Sequence, residues 1–315
     1  MPEQIAVIYN PSARVGRALG KKKKVENRLN AKNISYDLYV TESESHLIEI
    51  AGRLTDEYEI IIGAGGDTTI NLIAREILRA KKRNKLGIIS QGSTNDFARG
   101  MGVHKLKDAC NAIAHGQSHP IDVGMIRLGK NEEPYLFLAQ ASLGLGVAVN
   151  RYVDGWMKRH TFVRKFHAIA QTTSGLAAIY NSFKNKAVPM NLQLQNSKET
   201  RTIDSSLLIF NNTSYFAGRF QPSPFASPTD GKLDCCIFNS VTFSNLVRTA
   251  LQIKSMKHLE ENKVEILQDN YFKIFSSQPF EFQLDGEIFR SESEIEVSII
   301  PGALDIMINP EMLKP

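Results

Sequence analysis

The chain has 315 residues, 42% of them hydrophobic and 23% charged, with 12 Pro and 21 Gly spread along it; two ordinary domains fit that length, and the balance excludes a collagen-like or largely disordered protein. Formal charge is +5, a mild basic excess compatible with nucleic acid, an anionic membrane surface or a phosphorylated ligand. The three cysteines, Cys110, Cys235 and Cys236, exclude a disulfide framework and a Cys-based zinc motif.

Up to about residue 124, short β-branched runs alternate with stretches of helical period, the pattern of a parallel sheet covered by helices. Strands are predicted at 5–9, 36–40, 60–62, 86–89 and 121–123. Between them Leu47, Ile50, Ala51 and Leu54 make one helical face, and Ile70, Ile73, Ala74 and Ile77 a second. Leu106, Ala109, Cys110 and Ile113 make a third. Thr41 followed by Glu44 reads as a capping box opening the first of these helices.

Beyond residue 124 the texture changes to strands with few helices. Strands are predicted at 125–128, 135–139, 192–194, 206–210, 233–238, 264–267, 272–275, 280–284, 295–299 and 304–308, with helices at 161–183 and 243–256. A β-sandwich is the economical reading of this half. The domains are therefore expected at 1–124 and 125–315, with the final strands free to return to the first domain.

In an open α/β sheet, ligands bind beyond the carboxyl ends of the strands. Three such ends carry unusual loops: Asn10-Pro11-Ser12-Ala13-Arg14 after the first strand, Gly63-Ala64-Gly65-Gly66-Asp67-Thr68-Thr69 after the third, and Gln91-Gly92-Ser93-Thr94-Asn95-Asp96 after the fourth. Glycine at a strand-to-helix turn lets the backbone approach a phosphate, whose charge the helix N-terminal amides stabilise. Neither the P-loop pattern nor G-x-G-x-x-G is met, because Thr68 stands at the last glycine position after Gly63 and Gly65.

Taken together, these three loops resemble the diacylglycerol kinase catalytic-domain family, which includes soluble bacterial lipid kinases and sphingosine kinases. The likeness continues through Asn211-Asn212-Thr213, Gly218, Pro224, the Asp230-Gly231-Lys232-Leu233-Asp234 segment and Asp285-Gly286-Glu287. It implies an α/β plus β architecture: an amino-terminal three-layer Rossmann-like domain, a carboxy-terminal β-sandwich, and an active site in the cleft between them. It also implies an ATP- and magnesium-dependent kinase acting on a lipid hydroxyl such as that of diacylglycerol.

By matching positions, Asn10, Pro11, Ser12, Ala13, Arg14, Thr41, Gly65, Gly66, Asp67, Thr68, Thr69, Ile70, Asn71, Leu72, Thr94 and Asn95 line the nucleotide. Glu287 falls at the proton acceptor with Asp285 beside it. Ser227, Asp230 and Lys232 fall at a magnesium site, Ser227 and Lys232 through main-chain carbonyls. Asp67, Asp96 and Asp122 would organise the nucleotide-bound metal.

Phosphoryl transfer needs a metal on the phosphates, donors around them and a carboxylate near the attacking hydroxyl. Asp285 and Glu287, separated by one glycine, share a face if the strand continues through the motif; Asp-Gly is equally a turn signal. Four departures from the family stand out. Thr68 replaces a glycine, Leu72 a glutamate, Gln140 an asparagine and Gly146 an aspartate. A Thr68 that weakens nucleotide binding is the expectation. Two alternatives stay open here: a catalytically weak nucleotide- or lipid-binding regulator, and an NAD kinase-like phosphotransferase.

Basic residues fall in two clusters, Arg14 to Arg28 and Arg151 to Lys186. The second holds seven Lys or Arg against one acid, Asp154, more than the net charge of the whole chain. Its Phe162, Phe166, Ile169, Thr173, Leu176, Tyr180 and Phe183 recur at helical spacing. They either cover the β core or, with Trp156, meet an anionic membrane where a lipid is captured. Nucleic acid is disfavoured, since no recognition motif accompanies the charge. Without a secretory signal or an apolar run of ~20 residues, a cytoplasmic protein meeting membranes transiently at their surface is expected. Oligomeric state, a homodimer included, stays open.

Overall fold

The computed structural model describes residues 4–11, 18–129, 132–151, 190–218, 220–239, 244, 248, 256–260, 264–291 and 293–308. Ser12, Ala13, Arg14 and nearly all of the two helices predicted at 161–183 and 243–256 lie outside the described residues.

The amino-terminal half alternates strand and helix: β1 (Ile5–Tyr9), α1 (Ala18–Asn30), β2 (Asp37–Val40), α2 (Glu44–Glu57), β3 (Ile60–Gly65), α3 (Asp67–Arg79), β4 (Lys85–Ser90), the short α4 (Asp96–Gly100) and α5 (Leu106–His115). The four strands pair in parallel in the order β4-β3-β1-β2. All six residues of β3 are buried, as a parallel strand covered on both faces demands. Helices α2 and α3 pack on each other, as do α1 and α5, giving three layers. The predicted helical faces are the buried ones: Leu47, Ile50, Ala51 and Leu54 in α2, and Ile70, Ile73, Ala74 and Ile77 in α3. Each such isoleucine or leucine contributes roughly 1.5–3 kcal/mol by leaving water.

The rest is β: β5 (Ser118–Arg127), β6 (Tyr135–Phe137), β7 (Gln140–Gly144), β8 (Met190–Asn196), β9 (Thr200–Asn211), β10 (Leu233–Asn239), β11 (Val264–Asp269), β12 (Tyr271–Phe275), β13 (Phe280–Leu284), β14 (Glu287–Ser291) and β15 (Glu294–Met307), with a 3₁₀ turn at Lys257–Glu260. Long strands shared between layers build the sandwich. One part of β9 pairs with β8, while its carboxyl-terminal part lies between β7 and β10. A separate core of Phe210, Phe272, Phe282, Leu208, Leu284 and their neighbours fills it. The last strand joins the halves, since β15 pairs antiparallel with β12 and β5 and parallel with β4.

Several expectations change. The runs at 121–123 and 125–128 are one strand, β5, so residue 124 lies inside a strand rather than at a boundary. Gly124 does not break the strand; a Cβ there would fall 2.1 Å from the Phe137 ring, so close packing explains the glycine. The runs at 295–299 and 304–308 likewise merge into β15, with a bulge between Ile300 and Leu304 and Gly302 at φ +58°. Helix α2 is capped by Ser43, whose side chain accepts from the His46 amide at 3.1 Å. Thr41 instead ends beside β1, its hydroxyl reaching the Tyr9 carbonyl at 3.4 Å.

Candidate active site

The carboxyl ends of β1, β3 and β4 bring the three sequence loops together. Asn10 donates its Nδ2 to Thr69 Oγ1 at 2.9 Å, fastening the first loop to the start of α3. Gly66 is the N-cap of α3 and offers no side-chain cap, which leaves the amides of the first turn for an outside acceptor. Gly92 faces it closely: a Cβ on Gly92 would lie 2.9 Å from the Gly66 Cα. Lys21 of α1 reaches the same place, donating to the Gln91 carbonyl at 3.2 Å.

Thr68 is exposed within the first turn of α3 and has no left-handed backbone. A β-branched residue therefore carries no backbone strain here; only its bulk beside an incoming phosphate bears on the nucleotide. Ile70 and Leu72 are buried in the α/β core, so their side chains do not line a nucleotide. Asn71 turns to the other half of the molecule, donating to Asp285 Oδ2 at 2.5 Å.

The acidic residues fall into two groups. Asp67 accepts the Thr94 hydroxyl at 2.9 Å and the amides of Asn95, Asp96 and Phe97, while burial holds its carboxyl above the usual range. Asn95 makes this turn possible at φ 53°. Asp96 accepts the Gly218 amide at 2.6 Å; burial, then the charge of Asp67, pushes it up to about 7. Asp285 accepts the amides of Leu138, Ala139 and Gln140 at 2.7, 3.0 and 2.9 Å besides Asn71. Burial pushes it up to about 6 against those donors.

Asp122 belongs elsewhere. It accepts the amides of Gly231 and Gly302 at 2.7 and 2.8 Å, and its charge acts on Asp230. The expected trio of Asp67, Asp96 and Asp122 is thus not assembled; the charges that act on Asp96 are those of Asp67 and Asp285. Donors from the opposite half of the chain fasten Asp96, Asp122 and Asp285, so all three hold the two halves together.

The strand does not run through Asp285-Gly286-Glu287. Asp285 at φ 46° and Gly286 at φ 96° form the two-residue turn between β13 and β14, as a type I′ turn requires. The carboxylates therefore diverge. Asp285 points inward to its four donors, while Glu287 opens β14, half-buried, with Arg75 Nη2 3.6 Å from its Oε2. Burial raises Glu287 above the ordinary glutamate range and Arg75 works against that rise. Asn150 braces the turn, donating to the Gly286 carbonyl at 2.5 Å and to Gln283 at 2.9 Å. Sequence reasoning missed Arg75 and Asn150; the i, i+4 spacing of Asn71 and Arg75 on α3 was the available signal.

Asp230 is exposed on the loop before β10, its Oδ1 accepting the Lys232 amide at 3.0 Å and its Oδ2 taking a longer bond from Gln268 at 3.3 Å. Burial and then Asp122 raise it, so a cation would relieve its surroundings. Of the residues expected at a magnesium site, Asp230 offers a carboxylate, oxygen chemistry that suits a hard divalent ion. Among the described residues, no group of three or more His, Cys, Asp or Glu is arranged to hold a metal.

The replacement at 146 has a local reason. A Cβ at Gly146 would fall 2.5 Å from Ser142 Oγ, and Gln283 donates to that hydroxyl at 2.7 Å. A neutral pair occupies the space that an aspartate would need. Gln140 is buried on β7 with its Oε1 unpartnered.

Uncapped amides at the start of α3, with Asn71 and Arg75 further along it meeting the Asp285-Gly286-Glu287 turn of the β half, fit a two-domain phosphotransferase. Residues 4–126 match the model of the diacylglycerol kinase catalytic domain, and residues 140–308 match that of the YegS C-terminal NAD kinase beta sandwich-like domain. The chain belongs to the family that carries the YegS C-terminal NAD kinase beta sandwich-like domain, which spans more than half of it, here preceded by a diacylglycerol kinase catalytic domain.

A diacylglycerol kinase of Bacillus subtilis (strain 168) is 24% identical over 291 residues, 89% of this chain and 88% of its own. A diacylglycerol kinase of Staphylococcus aureus (strain Newman) is 30% identical over 128 residues, 39% of this chain and 40% of its own. Two crystal structures from Bacillus anthracis str. Sterne each share 98% of both chains, at TM-score 0.78 with 20% identity and 0.72 with 18%; the second is described as a diacylglycerol kinase. No helix among the described residues is long and apolar enough to cross a membrane.

Proposed function

We propose that this protein transfers the γ-phosphoryl group of ATP to the hydroxyl of a lipid, with diacylglycerol, named for its relatives, as the first acceptor to test. The observation that carries this reading is the reach of α3. Its first turn holds the glycine loop, and Asn71 and Arg75 further along meet the two carboxyl groups of the Asp285-Gly286-Glu287 turn. One rigid element thus sets the distance between a phosphate cradle and a proton acceptor.

In this reading Asn10, Thr41, Gly65, Gly66, Thr69 and Thr94 surround the nucleotide, whose phosphates lie against the α3 amides. Magnesium, where bound, neutralises phosphate charge, and Asp230 with the carbonyls of Ser227 and Lys232 would hold one such ion. The lipid hydroxyl gives its proton to Glu287 as its oxygen bonds to the γ-phosphorus and the bond to the β-phosphate oxygen breaks, leaving ADP. Half-burial suits Glu287 to this task, because a carboxylate raised toward neutrality accepts a proton more readily. Encounter with the lipid takes place at an anionic membrane surface.

Radiolabelled ATP with magnesium, offered in parallel to diacylglycerol, phosphatidylglycerol, a sphingoid base and NAD, tests the reading. Label is expected in a lipid, with Glu287→Ala lowering the rate by roughly 10²–10⁴-fold, the usual worth of a positioned proton acceptor. Label in NAD alone, or an unaffected Glu287→Ala, contradicts it.

A further inference from the structure

Helix α3 meets the hairpin turn with two side chains one helical turn apart. Asn71 grips Asp285 and Arg75 faces Glu287. Their partners are two residues apart on the other half of the chain, and the turn between β13 and β14 aims the two carboxylates in different directions. The Arg75 side chain is only 19% exposed and that of Glu287 32%, so water screens their attraction less than it would a surface pair. Arg75 is held from a second side, its Nη2 also donating to the Leu136 carbonyl at 3.3 Å. That carbonyl belongs to β6, just before the 138–140 amides that Asp285 accepts.

We propose that Arg75 is a positioning residue for Glu287, keeping its carboxylate charged and aimed at the acceptor hydroxyl. The inference rests on Glu287 being the proton acceptor, and it adds what sets that group's readiness. Among the described residues, two charged groups from neighbouring elements act on Glu287: Arg75 of α3, which favours the anion, and Glu44 of the first turn of α2, which disfavours it. The carboxyl of Asp285, in the adjacent turn, is engaged by its own four donors. Arg75 is thus the cationic group opposing both burial and Glu44. Once Glu287 takes the hydroxyl proton, the guanidinium loses its counter-charge beside the phosphoryl group just transferred, where a cation stabilises the product.

The test compares wild type, Arg75→Met and Arg75→Lys in two ways. The first is the pH dependence of kcat; the second is direct carbon NMR titration of the Glu287 carboxyl, which needs no turnover. Thermal melts establish that each variant is folded. A carboxylate that loses an opposite charge at this range rises by about one unit. The acid limb of the Arg75→Met profile and the Glu287 titration should therefore both move up by about one pH unit. At pH values on that limb kcat falls by about tenfold, while KM for ATP is unchanged. Arg75→Lys should recover part of both shifts.

A Glu287 titration that is the same in wild type and Arg75→Met overturns the inference, whatever the activity. Should the wild type phosphorylate no lipid, or Glu287→Ala stay fully active, the kinase reading fails on its own. The titration then still decides whether Arg75 governs the carboxylate.

Discussion

The carboxylates at the junction of the two halves and those on the rim of the same site live under opposite rules. Asp67, Asp96 and Asp285 each accept two or three backbone amides from other segments, whereas Glu287 and Asp230 keep oxygens toward solvent with few partners. Sequence type does not separate the two sets, since all are Asp or Glu beside glycines or turns. Backbone donors from other segments do. A carboxylate accepting two or three such amides holds the fold, and one with a cation or a local amide is left for a ligand or a proton.

The largest effect expected from that division is on stability. Asp285→Ala orphans three backbone amides and the Asn71 amide, and should lower the unfolding free energy by about 2–4 kcal/mol in urea titration. Asp230→Asn, on the exposed loop, should stay within about 0.5 kcal/mol. Equal losses in the two variants would break the division.

Next comes pH. Asp96, at about 7, and Asp285, at about 6, stand above their unfolded values, so the folded state binds protons that the unfolded chain has released. Their contribution is complete below the unfolded carboxylate range and is lost as pH rises through 6 and 7. Denaturant midpoints measured from pH 4 to 8 should therefore carry a falling component across that window, and Asp96→Asn should flatten it.

The smallest effect belongs to the exposed end of α3. Thr68→Gly should improve ATP affinity only a few-fold by removing bulk, at a helix cost of up to ~1 kcal/mol. No gain in affinity would show that the threonine does not crowd the nucleotide.

Much of the fold was legible because periodicity reports burial directly. The faces of α2 and α3 and strand β1 stand where the pattern put them. The misreadings share one physical origin, residues whose reason lies across the chain. Gly124 looks like a break until Phe137 is seen lying on it, and Pro301-Gly302 looks like a turn until the bulge in β15 is paired with β5. In the site, the loops of Asn10, Gly66 and Thr94 were readable from their order in the sequence. The direction of Asp285 was not, because an Asp-Gly pair is compatible with a strand and with a turn. Only the amides of 138–140 decide between them.

The fifteenth strand has a consequence for how such a molecule is made. In chain order β15 follows every other described strand, yet in the sheet it sits between β12 and β4, touching both halves. A chain emerging from its amino terminus therefore exposes the open edge of β4 until residues 305 and 306 have been synthesised. Pairings so distant in sequence close slowly. An unprotected parallel edge in that interval is where a helper chaperone, or an unwanted neighbour, finds its opening.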